Sequence, residues 1–381
     1  MRTHRRMFLA ALSGLSCHTC WLVATGRRRL AAQEIAAETR AATNRLPATG
    51  LTGAANLVEP AGLTIEPRVI RLQAGDHASP PVVTAVGLDP QGHWLATGGD
   101  DHLVRIWEFA SGRLLGELRG HDDWVSTVLF SPRGEYLASG GNDGRVLLWN
   151  MQRGGRPKLL SDFDHPLTSL AFSPDGQMLA AVGFRGKLVL LRVPDGSLIR
   201  ELSCPCSDMR AIAISPDMRQ MAGGGRNGRL RIWNTQTGQS RDIEQAHQQR
   251  VRAVIYAHDG TEIISAGEDR MIHLWNAGTG ARIRSLTGDV GKVLALSMYD
   301  QNHLASASTD NVIRLWDLKR GQLLARLVGH TGSIAALDTQ EGLLVSGSFD
   351  TTVRLWEIPQ AFRLPTATRE VTRSTAGPDN N

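Results

Sequence analysis

The chain has 381 residues and a formal net charge of +5, and 21% of its residues are charged. Residues 1–32 contain six arginines and no acidic residue, so the rest of the chain is close to neutral. The basic balance therefore gives no reason to expect a nucleic-acid partner, and none is predicted.

Residues 1–32 begin with a basic stretch and continue with an apolar run that contains small residues. This order is typical of an export signal, and Arg5-Arg6-Met7-Phe8-Leu9 resembles the twin-arginine pattern. We therefore predict an exported protein, periplasmic or extracellular. The alternatives are a membrane-anchored or a cytoplasmic protein, and any membrane contact would be made through residues 1–32 if they are uncleaved. Residues 33–66 are predicted to be a linker.

A tryptophan then returns at nearly constant spacing along the chain. The six positions are Trp107, Trp149, Trp233, Trp275, Trp316 and Trp356, and Leu191 occupies the place of a seventh. The intervals are 42, 84, 42, 41 and 40 residues. A period in this range indicates a repeat architecture in which each unit buries its faces against its neighbours.

Each repeat contains four predicted strands. Three short apolar runs precede the tryptophan and are separated by turn signals such as Ser131-Pro132-Arg133-Gly134 and Asp143-Gly144. A fourth run follows after a tight turn, as in residues 112–118 and 280–286. Four short strands per unit are typical of a propeller blade.

These repeats resemble the WD-repeat β-propeller family. Gly120-His121 and Gly329-His330 stand at repeat starts, Trp316-Asp317 ends a third strand, and an Asp precedes most of the tryptophans by six residues. The resemblance covers about residues 67–358. It implies a structural tetrad of His, Ser or Thr, Asp and Trp in a blade. The positions that match are His77, Thr97, Asp101 and Trp107; His121, Ser139, Asp143 and Trp149; His247, Ser265, Asp269 and Trp275; and His330, Ser346, Asp350 and Trp356.

Ser, His and Asp within one unit also invite comparison with a hydrolase triad. A triad needs one exposed nucleophile beside an oxyanion hole, whereas these residues recur around a ring, so a structural role is favoured. Three repeats depart from the pattern. The third has Arg185 and Leu191 in place of Asp and Trp, the fourth has Gly223 and Asn227 in place of Ser and Asp, and the sixth lacks the His.

The segment after Trp356 contains prolines and little apolar sequence, so the last repeat lacks an outer strand of its own. The alternating segment Arg68 to Leu72 is predicted to supply it. The fold prediction is all-β: a single seven-bladed β-propeller of four-stranded antiparallel blades, residues 67–358, closed by an N-terminal strand. Residues 359–381 are predicted to be a disordered tail.

In WD-repeat proteins, partners often dock on the face that carries the entry to each innermost strand. Phasing the repeats places five basic residues there on the fourth to sixth units, with three aromatic residues across the ring. A solvated rim would explain these residues equally well. The basic residues are Arg210, Arg226, Arg250, Arg252 and Lys292, and the aromatic residues are Trp124, Phe184 and Phe349.

The function prediction is a non-catalytic scaffold that binds a protein or an acidic peptide on this face. The alternatives are a propeller enzyme of the hydrolase or lactonase type and a regulatory subunit of a separately encoded enzyme. No metal and no cofactor are expected. Cys204 and Cys206 are interpreted as structural or incidental, because cysteines so close in sequence rarely form a good disulfide.

Overall fold

The repeats fold into seven four-stranded antiparallel sheets in the computed structural model, which describes residues 65–73, 79–204, 206–288 and 290–362. Blade 1 contains β2 (Val83–Leu88), β3 (Trp94–Gly99), β4 (Leu103–Glu108) and β5 (Leu114–Arg119). Blade 2 contains β6 (Val125–Phe130), β7 (Tyr136–Gly141), β8 (Arg145–Asn150) and β9 (Lys158–Asp162). Blade 3 contains β10 (Leu167–Phe172), β11 (Met178–Gly183), β12 (Lys187–Arg192) and β13 (Leu198–Ser203).

The remaining four blades repeat this order. Blade 4 contains β14 (Met209–Ile214), β15 (Gln220–Gly225), β16 (Leu230–Asn234) and β17 (Ser240–Ile243). Blade 5 contains β18 (Val251–Tyr256), β19 (Glu262–Gly267), β20 (Ile272–Asn276) and β21 (Arg282–Leu286). Blade 6 contains β22 (Val293–Met298), β23 (His303–Ser308), β24 (Ile313–Asp317) and β25 (Gln322–Leu327). Blade 7 contains β26 (Ile334–Gln340), β27 (Leu343–Ser348), β28 (Thr352–Glu357) and β1 (Arg68–Arg71).

The innermost strands of neighbouring blades contact one another in a closed ring around a central channel. Apolar side chains of each blade pack against those of the next, as Leu148 of blade 2 does with Leu179 of blade 3. The tryptophans plug these layers, and Trp233, Trp316 and Trp356 are fully buried. The prediction of an all-β, seven-bladed propeller is confirmed.

Blade 7 combines strands from both ends of the described chain. Strand β1 pairs antiparallel with β28, and Ile70 lies opposite Val353. Ile70 and Leu72 are buried in a cluster shared with blade 1, and the Arg68 guanidinium donates to the carbonyls of Phe109 and Ala110. The outer strand of the last repeat is therefore an N-terminal segment.

The described chain stays packed beyond the residue at which the tail was predicted to begin. Residues Gln360–Phe362 form a 3-10 turn, and Phe362 is buried beside Tyr299, whose hydroxyl donates to its carbonyl at 3.2 Å. The described chain therefore remains packed for three residues past residue 359, where Phe362 holds it on blade 6. Ile65, assigned to the linker, packs against the same cluster. Residues 363–381, 1–64 and 74–78 lie outside the described residues.

A β-bulge interrupts the innermost strand at the same place in every blade. The register against the second strand shifts by one residue there, and such a bulge redirects a side chain. These seven partly accessible side chains form one ring at the mouth of the channel. The bulge residues are Thr84, Ser126, Thr168, Arg210, Arg252, Leu294 and Ala335.

Candidate protein-binding site

Blades 2, 5 and 7 contain complete hydrogen-bonded tetrads. In blade 2, His121 Nδ1 lies 3.0 Å from an Asp143 carboxylate oxygen, His121 Nε2 lies 2.8 Å from Ser139 Oγ, and Trp149 Nε1 donates to Ser139 Oγ at 2.9 Å. Every polar atom is satisfied if the His proton is on Nδ1, an assignment made from the network. The same contacts join His247, Ser265, Asp269 and Trp275, and also His330, Ser346, Asp350 and Trp356.

The Asp of each tetrad also forms the turn between the second and third strands. Asp143 accepts from the backbone N–H groups of Asp122 at 2.9 Å and Arg145 at 3.0 Å. The next residue, Gly144, has φ +86, and a Cβ there would lie 2.0 Å from the Phe163 carbonyl oxygen. Asp143 and Gly144 therefore both shape this turn. Burial would raise the pKa of Asp143, but the hydrogen bond and charge of His121 together with the two backbone hydrogen bonds outweigh it, so the pKa is lowered.

Blades 1 and 6 fix the same Asp with an arginine from the third strand. In blade 6 the Arg314 guanidinium donates to Asp310 at 2.6 Å, and Trp316 Nε1 donates to Ser306 Oγ at 2.9 Å. In blade 1 Arg105 donates to Asp101 at 2.6 Å, while Trp107 Nε1 donates to Thr97 Oγ1 at 3.0 Å. His77, the predicted fourth member in blade 1, lies outside the described residues. Sequence reasoning missed these arginines, whose signal is their position two residues before the tryptophan.

Blades 3 and 4 lack the network. Leu191 is buried among aliphatic side chains, and His165 Nδ1 lies 3.3 Å from the carbonyl oxygen of Pro166. In blade 4 the Trp233 indole donates to the carbonyl of Ser203 at 3.3 Å. These blades are held by apolar packing more than by buried polar groups.

A second histidine lies against the blade 5 tetrad. The ligand atoms of His247, Asp269 and His273 lie within 4.8 Å of one another, a grouping that could suggest a metal site. However, both ring nitrogens of His247 are engaged with Asp269 and Ser265, and His273 Nδ1 lies 2.8 Å from Ser285 Oγ. Burial lowers the pKa of His273 to about 4, so the ring is neutral near pH 7. These nitrogen atoms are therefore already engaged in hydrogen bonds within the protein, which argues against a metal site.

The predicted basic residues are joined by two carboxylates that the sequence prediction did not include. Arg210 Nε lies 2.6 Å from Asp208 Oδ1, and an Arg250 nitrogen lies 3.4 Å from Asp208 Oδ2. Glu268 then receives Arg250 at 3.1 Å, Arg252 at 3.7 Å and Lys292 at 3.5 Å. We call Asp208, Arg210, Arg250, Arg252, Glu268 and Lys292 the channel-mouth network.

The remaining basic residue stands apart from this network. Arg226 is exposed at the turn after β15, and within the described ranges it makes no side-chain ion pair. The predicted sector of five positive charges therefore also contains two carboxylates, Asp208 and Glu268, which reduce its net charge. Asp208 and Glu268 were recognisable from the sequence, because they occupy the same phased positions as the basic and aromatic residues that were selected.

Burial and charge act in opposite directions within the network. Burial alone would raise the pKa of Glu268, but the charges of Arg252, Arg250 and Lys292 outweigh it, so the pKa is lowered. Burial lowers the pKa of Arg252 to about 10, and the like charge of Arg210 adds to that effect. Arg252 remains protonated near pH 7 but is poorly compensated for its lost solvation.

The three aromatic residues do not form one group across the ring. Phe184 makes an isolated backbone bridge with Asp208, and the Arg210 guanidinium lies 4.8 Å from the centre of its ring. Phe184 thus belongs with the basic residues, because blades 3 and 4 are neighbours. Trp124 and Phe349 are half-buried on blades 2 and 7 at the same end of the blades. This end, where each second strand turns into the third, is called the top face below.

A lone carboxylate lies in the channel wall toward the other end. Asp338 accepts from the backbone N–H of Leu88 in the neighbouring blade 1 at 2.7 Å and from that of Thr339 at 2.8 Å. Burial raises its pKa to about 6, although both hydrogen bonds act in the opposite direction. The folded protein therefore binds this proton more tightly than the unfolded chain does.

Stability should consequently fall as the pH rises through the window from 3.8, the ordinary pKa of Asp338, to about 6. We expect a loss of about 1 to 2 kcal/mol from this group, discounted because the side chain is partly accessible. Urea unfolding at about pH 4.5 and about pH 7.5 measures the loss of unfolding free energy between the two conditions. This loss should be smaller for Asp338→Asn than for the wild type. Identical differences in both proteins would contradict this assignment.

The geometry defines a closed seven-bladed propeller with one face rich in charged and aromatic side chains. Seven segments match the WD domain, G-beta repeat family, and together they cover more than half of the chain, so the protein belongs to that family. Propellers of this kind generally bind protein partners. The matched segments are residues 71–108, 112–150, 157–190, 196–234, 238–276, 280–317 and 321–357.

Similar proteins include the ribosome biogenesis protein erb1 of Emericella nidulans and that of Aspergillus niger, each 49% identical over 47 residues. Ribosome biogenesis protein ERB1 of Coccidioides immitis is 46% identical over 41 residues. The Emericella match covers 12% of this chain and 6% of the relative, and the Coccidioides match covers 11% and 5%. The chain therefore spans only a small part of these relatives, about the length of one repeat.

These relatives contradict the prediction of an exported protein, since ribosome biogenesis takes place inside the cell. The prediction rested on composition in residues 1–32, which lie outside the described residues, and a signal peptide is not supported. Within the described ranges, the structure contains no helix with the length and apolar character needed to span a membrane.

Proposed function

We propose that the propeller is a non-catalytic scaffold whose top face binds an acidic segment of a protein partner. The channel-mouth network is the observation that supports this most directly. It holds four cationic side chains and two carboxylates side by side, so it carries a net positive charge at a fixed geometry. Arg226 adds an exposed charge at its edge.

The shape of the network favours recognition over a solvated rim. Asp208 and Glu268 each contact more than one cation, so the arginines are held in place before a partner arrives. Phe184 stacks under Arg210, and a guanidinium fixed on an aromatic ring loses little freedom on binding. Trp124 and Phe349 offer apolar contact area on the same face, as interface anchors often do.

A structural role for the tetrads supports a function without catalysis. Ser139, Ser265 and Ser346 are fully buried, and each already contacts a His and a Trp. A nucleophile in that position cannot reach a substrate. The alternatives, a propeller enzyme or a regulatory subunit of a separately encoded enzyme, would need a site that these tetrads do not provide.

Charge reversal on the top face should weaken binding of a ten-residue glutamate peptide. The double variant Arg226→Glu/Lys292→Glu changes exposed residues and should cost about 1 kcal/mol or more at low salt, with a slower association rate. The effect should shrink as the Debye length falls to about 8 Å at physiological ionic strength. Trp124→Ala should weaken binding of a partner without changing its salt dependence, because the indole contributes area.

A matched control separates this face from the net charge of the molecule. Arg113→Glu/Arg219→Glu makes the same charge change on exposed side chains of turns at the opposite end of the blades. Stopped-flow and equilibrium titrations at two salt concentrations should leave this control close to wild type. An equal loss in both double variants would leave the top face as an ordinary solvated surface.

A further inference from the structure

The ring of bulge residues changes its chemistry between blades 3 and 4. In the first three blades a hydroxyl closes the gap to the next blade: Thr84 donates to the Val125 carbonyl at 2.5 Å and Thr168 to the Met209 carbonyl at 2.7 Å. Ser126 donates to the Leu167 carbonyl at 2.8 Å. The next two bulges carry Arg210 and Arg252, and in the part of the chain that the structure describes neither side chain bonds to a carbonyl of the next blade. Two guanidinium groups therefore replace a structural hydroxyl at the channel mouth.

Arg210 and Arg252 differ in how closely their guanidinium groups contact carboxylates. Arg210 meets both Asp208 oxygens, at 2.6 and 3.2 Å, and stacks on Phe184. Arg252 lies 3.7 Å from Glu268, beyond hydrogen-bond distance, and makes no side-chain hydrogen bond within the described part of the chain. Glu268 is meanwhile closer to Arg250, at 3.1 Å. Arg252 is thus the arginine of the network whose guanidinium makes no side-chain hydrogen bond within the described ranges, although Arg210 Nε and Arg250 Nε also lack a hydrogen-bond partner there.

The balance of charges around Arg252 indicates which kind of group would pair with its guanidinium. Arg210, Arg250 and Arg252 face only two carboxylates, Asp208 and Glu268, so one positive charge lacks a partner within the channel mouth. Lys292 stands at the rim with 44% of its side chain exposed and is solvated. One additional negative charge would balance the three arginines, whereas a doubly charged phosphate would place an excess negative charge beside Asp208 and Glu268.

We propose that Arg252 binds a single carboxylate group of a peptide at the channel mouth. The planar guanidinium and the planar carboxylate match in a two-bond arrangement, which an ammonium group cannot reproduce. The carboxylate comes from an Asp or Glu side chain or from a chain terminus. This inference rests on the proposed function and adds the position and the charge of the group that is recognised.

Titration calorimetry of the full chain with two peptides tests the proposal. Pentaglutamate with an amidated C-terminus offers only side-chain carboxylates, and pentaglutamine with a free C-terminus offers only the terminal one. We expect Arg252→Gln to lose about tenfold or more in affinity for the peptide that binds, and Arg252→Lys to lose several-fold. Arg219→Gln, the same charge change on a turn at the opposite end of the blades, should stay within about twofold at physiological salt. Whichever peptide binds identifies the source of the carboxylate.

Three outcomes would overturn the inference. Unchanged affinity in Arg252→Gln beside a loss in Arg226→Glu/Lys292→Glu would mean general attraction by the top face, which would leave the proposed function standing. Binding of neither peptide by the wild type would overturn both proposals. Displacement of the peptide by inorganic phosphate at concentrations where acetate has no effect would assign the site to phosphate instead.

A stability measurement separates recognition from a structural role of Arg252. Removing a partly buried charge that lacks a close partner should leave the melting temperature of Arg252→Gln unchanged or raise it. A clearly lower melting temperature would make Arg252 a support for Glu268 and would remove the case for a free donor.

Discussion

Replacing Trp149 by alanine is expected to lower the free energy of unfolding by about 3 to 5 kcal/mol. The indole is almost completely buried between blades 1 and 2 and packs with Leu137 and Ile106. Its removal leaves a cavity and also deprives Ser139 of the donor at 2.9 Å. Because neighbouring blades depend on the same layer, we expect the whole propeller to lose stability together.

Asp143→Ala tests the polar part of the same tetrad. The substitution leaves His121 and the backbone N–H groups of Asp122 and Arg145 without their acceptor, at an expected cost of about 2 to 4 kcal/mol. Asn227→Ala in blade 4 is the matched control, because it occupies the same turn position in a blade without a tetrad. Urea unfolding of both variants is the measurement. Equal midpoint shifts would mean that the network adds nothing beyond the turn.

The parts of the structure that could be predicted from the sequence are local and periodic. Tryptophan and aspartate recur at the repeat positions of Trp149 and Asp143, because each blade packs against its neighbour and turns in the same way. The pattern of one repeat therefore predicts the next. The outer strand at Arg68 was predictable for a similar reason: a blade that lacks a strand exposes an unpaired edge. The seven blades and the residues of the tetrads follow from such regularities.

The candidate site was harder to predict because its contacts join different blades. Asp208 lies between Arg210 and Arg250, and this sharing depends on side-chain positions that repeat spacing does not specify. Phe184 was assigned to the wrong side of the ring for the same reason. Phe362 also escaped prediction, since one aromatic residue in a polar tail leaves no periodic signal.

The blades that keep the repeat pattern differ in their contacts from the blades whose bulges carry arginines. Blades 1, 2 and 7 keep a hydroxyl or small side chain at the bulge and a tetrad or its arginine variant, and their contacts hold the ring. Blade 4 lacks the tetrad residues, with Gly223 and Asn227 in place of Ser and Asp. The bulges of blades 4 and 5 carry arginines. The bulge arginines therefore stand within a frame that other blades stabilise, an arrangement that agrees with the proposed binding role.

Deleting residues 1–74 should destabilise the propeller far more than deleting residues 1–60, since only the longer deletion removes β1. The lost segment pairs with β28 along four residues and buries Ile70 and Leu72. The two buried side chains alone account for about 3 to 5 kcal/mol, before the strand hydrogen bonds are counted. Arg68 also ties this strand to blade 1 through the carbonyls of Phe109 and Ala110. The longer deletion thus opens the ring at its closing blade.

Ile70→Asp in the full chain provides the point-mutation counterpart, because it places a charge in the cluster that Ile70 shares with Trp107 and Val353. It should reproduce much of the loss, whereas Val69→Asp, on the exposed side of the same strand, should change stability by about 0.5 kcal/mol or less. Thermal and urea unfolding of the four proteins provide the comparison. If the two deletions had equal midpoints, β1 would contribute nothing to closure, and the exposed edge of β28 would have to be stable by itself against the tendency of unpaired strands to associate.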